Sequence, residues 1–339
     1  MTRSIKLPKD LKIISEIIGK NPMMIQGPGG NTSFKSNNQM WIKGSGTMLS
    51  DALTKEIFVL VDCDKVLSQI NNKYKNNNYD PIIGSNRSLR PSIETSFHAL
   101  IPFSYVVHTH SVNAIVHGIS PQGRASLKKK LKGLNWISVP YKKPGEPLTR
   151  EIQKHIINGL PEKNEGLVII LYNHGLIVAG KSINIVEDIL NKVEDRLYLK
   201  PAKINIDSRQ LPLLPKNWEW FQNYEELSKN KKTSSIITNT VLYPDHVVFL
   251  GDKIPKLSFK DLFNNFNPPN GSKMILIEEF GIILNSQSSK AVRAMAKCLS
   301  DVLLRLPNEW SVEGLSQNSI KELIDWDAEK FRQNMSKEI

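Results

Sequence analysis

The stretch Tyr105-Val106-Val107-His108-Thr109-His110 decides how the rest of the chain is read. An aromatic and two valines lead into a pair of histidines one residue apart. As the end of a buried strand, the run sends residues two apart to the same face. His108 and His110 then present both imidazoles on one side. That spacing suits chelation of a single metal ion, and equally suits two hydrogen-bonded histidines. Separating the two readings requires whatever else the chain brings to the same place.

Upstream, Leu11, Ile13, Ile14, Ile17 and Ile18 form an apolar stripe at helical spacing and predict a helix over Asp10 to Lys20. The run Gln26-Gly27-Pro28-Gly29-Gly30-Asn31-Thr32-Ser33 follows. Its glycines permit positive φ and close approach of backbone N–H groups to an anion, or simply a turn between helix and strand. It lacks both the G-x-G-x-x-G spacing and the G-K-[ST] ending of nucleotide-binding loops. Met40-Trp41-Ile42-Lys43 reads as a short strand running into a second small-residue turn, Gly44-Ser45-Gly46-Thr47. Phe58 to Val61 is another strand, and asparagine-rich Asn71 to Asn86 an exposed loop. Arg90-Pro91-Ser92 approaches a helix with Ser92 as N-cap and Glu94 in its first turn, where an acid compensates the dipole or pairs with His98 at i+4.

Past His110, a helix capped near Ser111 carries His117, read as a packing or surface histidine. Trp136 to Tyr141 is a strand, and a helix spans Arg150 to Leu160. Gly166 to Tyr172 is a buried strand delivering Asn173-His174-Gly175, followed by the strand Leu176 to Ala179 and a helix from Ser182 to Leu199. A sharp turn between two apolar strands is a costly place for an unpaired imidazole, so His174 calls for a partner.

With 339 residues the chain can bury one large core or two moderate ones, and division into domains is expected. No apolar run is long enough to span a bilayer, so no membrane association is expected. The N-terminal residues lead into a charged amphipathic segment, not a secretory apolar region. Cys63 and Cys298 lie outside any C-x-x-C pattern, which points to a reducing, cytoplasmic compartment and away from a cysteine metal site. The net charge of +12 invites a nucleic-acid partner, but the lysines are scattered among asparagines and serines. No aromatic-interleaved basic ribbon accompanies them, and an anionic small molecule suits the same field.

Taken together, Gly30-Asn31-Thr32-Ser33, Ile42-Lys43-Gly44-Ser45-Gly46, Ser92-Ile93-Glu94, Val106-Val107-His108-Thr109-His110, Pro140-Tyr141-Lys142-Lys143-Pro144-Gly145 and Asn173-His174-Gly175-Leu176 form an ordered series. In that order they resemble the class II aldolase/adducin family, the zinc-dependent fuculose- and rhamnulose-phosphate aldolases. The match runs from about Lys12 to Leu199. The resemblance implies an α/β/α sandwich around a mostly antiparallel sheet. It implies a Zn²⁺ ion on His108, His110 and His174 with an open position for catalysis, and Glu94 as the acid/base group. It also implies retro-aldol cleavage of a ketose phosphate to dihydroxyacetone phosphate and an aldehyde, through a metal-stabilised enediolate. Gly30, Asn31, Ser45, Gly46 and Ser92 would hold the phosphate, in a homotetramer or other homo-oligomer.

Related chemistries on the same centre are a 4-epimerase, a sugar-acid phosphate decarboxylase and a ketose-phosphate dehydratase; the adducin-like alternative is a non-enzymatic interaction module. Ile93 stands where the family commonly has a second serine, which leaves an unphosphorylated substrate or a sugar acid open. No tyrosine lies between Pro121 and Val139, where the family carries its proton donor to the leaving aldehyde.

The remaining chain divides as follows. Residues 1–200 form the catalytic domain, and 201–240 a connector with a short aromatic helix around Trp218 and Trp220. Residues 241–310 form a smaller α/β unit, and 311–339 end in one amphipathic helix. Met274 to Asn285 and the helix from Ser288 to Leu306 echo the strand-turn-strand-helix around His174, with Phe280 in the histidine's place. This back portion resembles that of longer rhamnulose-phosphate-aldolase-like proteins, which carry a T-P-D-H motif where Pro244-Asp245-His246 stands. His246 is read as a structural turn residue or as one reaching the active site.

Overall fold

The computed structural model describes residues 4–71, 79–82, 84–157, 165–203, 211–264 and 266–335. Seven strands form the main sheet: β1 (Asn31–Ser36), β2 (Gln39–Lys43), β3 (Phe58–Asp62), β4 (Tyr105–Thr109), β5 (Trp136–Val139), β6 (Gly166–Leu171) and β7 (Gly175–Gly180). Their order is β3-β2-β1-β4-β7-β6-β5, antiparallel except where β5 lies beside β6.

Strand parity places a core on each face. In β4, Tyr105 and Val107 pack with Leu11 and Ile14 of helix Lys9–Gly19 and with Leu190 and Val193 of helix Ile183–Leu197. Val106 points the other way, into Phe97 of helix Thr95–Leu100 and Leu148 and Ile152 of helix Glu146–Ile157. Because both faces are covered, β6 and β7 are buried at every position and read as unbroken apolar runs. This is the expected α/β/α sandwich.

A second sheet contains β8 (Trp218–Trp220), β9 (Lys256–Leu257), β10 (Met274–Ile277) and β11 (Gly281–Asn285), in the order β8-β11-β10-β9. The echo of the first half extends to backbone conformation. Asn173 before His174 and Glu279 before Phe280 both adopt positive φ, +53° and +64°. The helix Lys290–Arg305 follows β11 as Ile183–Leu197 follows β7. A helix of the first half links the two sheets. Helix Val112–Gly118 contributes Val112, Ile115 and Val116 to an apolar cluster shared with Val247, Met295 and Leu299.

Two expectations in the second half are corrected. The aromatic segment at Trp218 is a strand, because Trp-Glu-Trp alternates at period two: both indoles join the apolar cluster of the second sheet, while Glu219 pairs with Arg293 outside it. The tail is two helices, Gln317–Ile324 and Asp327–Met335, separated at Trp326, whose ring packs over Gly145 and under the Lys143 ammonium. The polar segment over 71–86, the end of the helix over 150–160 and the last four residues lie wholly or partly outside the described residues.

Candidate metal centre

The site forms where β1 begins, β4 ends and the β6–β7 hairpin turns. In the ladder, His108 pairs with Asn31 on β1 and with Ile177 on β7. Strand pairing stops at Thr109, and the Ser111 hydroxyl accepts the Ala114 amide at 3.1 Å to start the next helix. His110 therefore stands at the strand exit. The hairpin turn approaches β4 so closely that a Cβ at Gly175 would lie 2.3 Å from the Thr109 carbonyl oxygen. Glycine there lets His174 reach the other two rings, with centroids 5.0 Å from His108 and 5.3 Å from His110. One ring nitrogen from each histidine falls within 4.8 Å of the others, and all three residues are buried.

Glu94 joins them. Its carboxylate oxygens lie 3.4 Å from His108 Nε2 and 3.4 Å from His174 Nε2. Asn31 donates its amide to Glu94 Oε2 at 2.8 Å and to Ser92 Oγ at 3.1 Å. Ser92 is not the N-cap: the helix starts at Thr95 with Glu94 in the capping position, and Ser92 Oγ accepts the Glu94 amide at 3.2 Å. The Glu94 side chain makes no capping bond and is left to face the imidazoles. His98 does not pair with it, because its ring is held by Asn31 Oδ1 and by Ser33 Oγ.

Burial pulls His108 down to about 4 and His174 down to about 3, so both are neutral with a lone pair at physiological pH. Burial acts against ionisation of Glu94, but His108, His174, His110 and the Asn31 amide outweigh it and hold the carboxyl at about 2. His108 Nδ1 donates to the Leu176 carbonyl at 3.0 Å, which leaves Nε2 as the acceptor. Among the described residues that Nε2 and Glu94 Oε1 are buried without a hydrogen-bond partner. Neutral imidazoles with orphaned lone pairs beside an ionised carboxylate are the donor set of a divalent metal, and the cluster is able to hold one.

Gly30, Asn31, Ser45, Gly46 and Ser92 line one cavity with Glu94, His110 and His174. Gly30 adopts φ of +60°, and a Cβ there would meet the His108 carbonyl oxygen at 2.7 Å. The Ser45 amide is committed to the Arg90 carbonyl at 2.7 Å, so Ser45 offers the cavity its hydroxyl. Four further residues of the cavity escaped the sequence reading: Lys43, Asp245, Glu329 and Arg332. Lys43 Nζ donates to the carbonyls of Pro28 and Thr47, each at 2.8 Å, and burial together with Arg332 lowers it to about 7. Asp245 Oδ2 lies 3.0 Å from His110 Nδ1, and Arg332 grips its other oxygen. Arg332 Nε also lies 2.7 Å from Glu329 Oε2, and burial raises that carboxyl to about 7. His246 is buried beside the site, its Nδ1 accepting the Leu242 amide at 3.2 Å. Two signals touched Asp245: the resemblance of Pro244-Asp245-His246 to a motif of longer relatives, where the reading fell on His246, and the Pro-Asp start of a helix, which by itself marks only a favourable acid in a first turn.

Helix Asp327–Met335 covers the cavity. Met335 packs on Gly46, Phe331 lies under the Arg90 guanidinium at 4.5 Å, and Arg332 enters the site. The space left is about 20 Å³, room for about one water molecule.

Residues 18–195 match the family described as Class II Aldolase and Adducin N-terminal domain, and the chain belongs to that family. Uncharacterized oxidoreductase YuxG of Bacillus subtilis (strain 168) is 26% identical over 223 residues, covering 58% of this chain and 31% of that protein. The chain thus spans about a third of the length of this curated relative. Among solved structures, the N-terminal class II aldolase domain of a conserved protein from Thermoplasma acidophilum is 23% identical with a TM-score of 0.48, over 58% of this chain and 94% of that one. The L-fuculose-1-phosphate aldolase of Thermus thermophilus is 14% identical with a TM-score of 0.36, over 56% and 93%. Among the described residues no helix is long and apolar enough to cross a membrane.

Proposed function

We propose that this chain is a zinc-dependent lyase that cleaves a ketose phosphate by a retro-aldol reaction, giving dihydroxyacetone phosphate and an aldehyde. The observation that carries the reading is the meeting of His108, His110 and His174 with an ionised Glu94 in one buried cavity. The three histidines would hold the ion. A bound divalent ion supplies Lewis acidity, stabilising the negative charge that develops on a carbonyl oxygen as the neighbouring carbon–carbon bond breaks.

Cleavage releases a proton from the hydroxyl of the departing carbon and needs one at the carbon that loses its partner; Glu94, ionised at rest, would take up the first and supply the second, with Asn31 keeping the carboxylate aimed. Gly30, Asn31, Ser45, Gly46 and Ser92 bind the phosphate. A phosphate would draw Lys43, lowered to about 7 by burial, into its charged form, whose third N–H is not spent on the carbonyls of Pro28 and Thr47. With about 20 Å³ free, a sugar phosphate enters only when helix Asp327–Met335 lifts away, and its return excludes water. The same proposal includes a homo-oligomer and a cytoplasmic location, the latter supported by two buried, unpaired cysteines.

The test is incubation with a panel of ketose 1-phosphates, with and without EDTA. Release of dihydroxyacetone phosphate that EDTA abolishes and Zn²⁺ restores is the expected result. Release of CO₂, loss of water or inversion at C4 moves the assignment to a decarboxylase, dehydratase or epimerase on the same centre. Turnover indifferent to EDTA, or absence of any turnover in metal-loaded protein, refutes the enzyme reading.

A further inference from the structure

The histidines and Glu94 all come from the matched region, yet the second half of the chain reaches into their centre at two points. At the hairpin, Asn173 is pinned by bonds from its amide to the carbonyls of Leu242 at 2.9 Å and Glu313 at 2.7 Å. Arg124 closes the arrangement, donating to Asn173 Oδ1 at 3.0 Å and pairing with Glu313. At the strand exit, Asp245 stands against His110. Its Oδ2 has no hydrogen-bond partner among the described residues, and the His110 ring nitrogen 3.0 Å away is the group it faces.

We propose that Asp245 is the positioning carboxylate of the metal centre: it takes the Nδ1–H of His110 and so presents Nε2 to the ion. The inference rests on the proposal that the three histidines bind a metal. A bond to the second nitrogen of a histidine ligand fixes both the tautomer and the ring's orientation, although His174 is placed by its hairpin turn with no such bond among the described residues. His108 has the Leu176 carbonyl for this purpose. His110 lies past the end of the strand ladder, and a side chain from elsewhere must serve.

Asp245 is itself held. Proline at the first position of helix Pro244–Leu250 sets the backbone, and Arg332 from the C-terminal helix grips the second carboxylate oxygen. Glu329, one turn before Arg332, supports the guanidinium in turn. The chain Glu329–Arg332–Asp245–His110 ties the covering helix to a metal ligand. A carboxylate bonded to His110 also makes that imidazole a stronger donor than a carbonyl would.

The experiment uses the full chain, stripped with EDTA and titrated with Zn²⁺ against a chromogenic chelator. Asp245→Asn and Asp245→Ala are expected to bind Zn²⁺ about 10- to 100-fold more weakly than the unmodified chain. His246→Gln disturbs the same helix without touching His110, and is expected to stay within about threefold. Wild-type affinity in Asp245→Asn overturns the proposal, as does equal weakening in His246→Gln. Should the Asp245 variants not fold, long-range ¹H–¹⁵N correlation of the Zn²⁺-loaded wild-type histidines decides. A proton on His110 Nδ1 supports the assignment, and one on Nε2 overturns it. If the unmodified chain takes up no Zn²⁺, the metal reading itself falls, a result separate from any difference between variants.

Discussion

Acidification of the metal-free protein from pH 7.5 to 5 should remove roughly half of its stability. Burial holds His108, His117 and His246 at about 4 and His174 at about 3, against an ordinary value near 6.5. Between those values the unfolded chain takes up protons that the folded one refuses, so stability falls as pH falls. At pH 5 each histidine costs about 2 kcal/mol, or about 8 kcal/mol for the four. Glu329 acts in the opposite sense: burial holds its carboxyl at about 7, so protonation below that value favours the folded state and returns about 2 kcal/mol. The net loss is roughly 6 kcal/mol, against a total stability of about 5–15 kcal/mol for a folded domain. Urea denaturation in EDTA, followed by tryptophan fluorescence at several pH values, measures it. Saturating Zn²⁺ should raise stability at both pH values without reducing the loss, because the folded imidazoles already refuse protons and the ion only keeps them deprotonated. A change below about 1 kcal/mol between pH 7.5 and 5 would show that these imidazoles are not held neutral by burial, and would refute the reasoning.

Three further outcomes are expected. His174→Ala should lower bound Zn²⁺ from one equivalent to a small fraction, read by elemental analysis after dialysis, with turnover falling in proportion. Gly30→Ala should destabilise the fold by about 2–4 kcal/mol, because the added methyl meets the Ile25 side chain and the His108 carbonyl at a φ of +60°; a shifted urea midpoint reports it. Phe331→Ala removes the ring under Arg90 and loosens the covering helix. Amide exchange across residues 327–335 should speed up about 5- to 30-fold, for a loss of about 1–2 kcal/mol, while exchange in β4 stays unchanged.

What could be read in advance follows the range over which each feature is encoded. Strand parity, a property of three consecutive residues, predicts that His108 and His110 meet, and their rings do lie 5.1 Å apart although the ladder ends at Thr109. His174 is pinned by the apolar runs on either side of it and by Gly175, whose absent side chain admits the Thr109 carbonyl. Such features are local and survive without knowledge of the fold. Glu94 was placed in a first turn, two positions past the cap that it in fact occupies. That small displacement matters chemically, since a residue at the cap with no capping bond has its side chain free to face the histidines. Trp218-Glu219-Trp220 is too short for its period-two pattern to outweigh its aromatic content until β11 is known to lie beside it. At the break between the two C-terminal helices Trp326 packs over Gly145, a contact far away in the chain that a local pattern does not carry.

Lys43, Asp245 and Arg332 were illegible for a different reason. Each reads locally as something ordinary: a lysine after a strand, an acid in a first turn, a basic residue on a polar tail. Their charges acquire meaning only through mutual burial. A buried lysine or arginine is tolerated only where carbonyls or carboxylates compensate it, and for Arg332 one of those partners, Asp245, lies 87 positions upstream. Burial of Arg332 obliges Asp245 and Glu329 to stay ionised or share a proton, and burial of Asp245 directs its remaining oxygen to His110. The compensation is collective, so removing any one member leaves the others as uncompensated charge in a space that holds about one water. The first half therefore carries the ligands, while the electrostatic condition for keeping His110 aligned is met by residues of the second half, Asp245 and Arg332. A fragment ending near Leu199 would retain every residue of the recognisable motifs and lose Asp245 and Arg332 together.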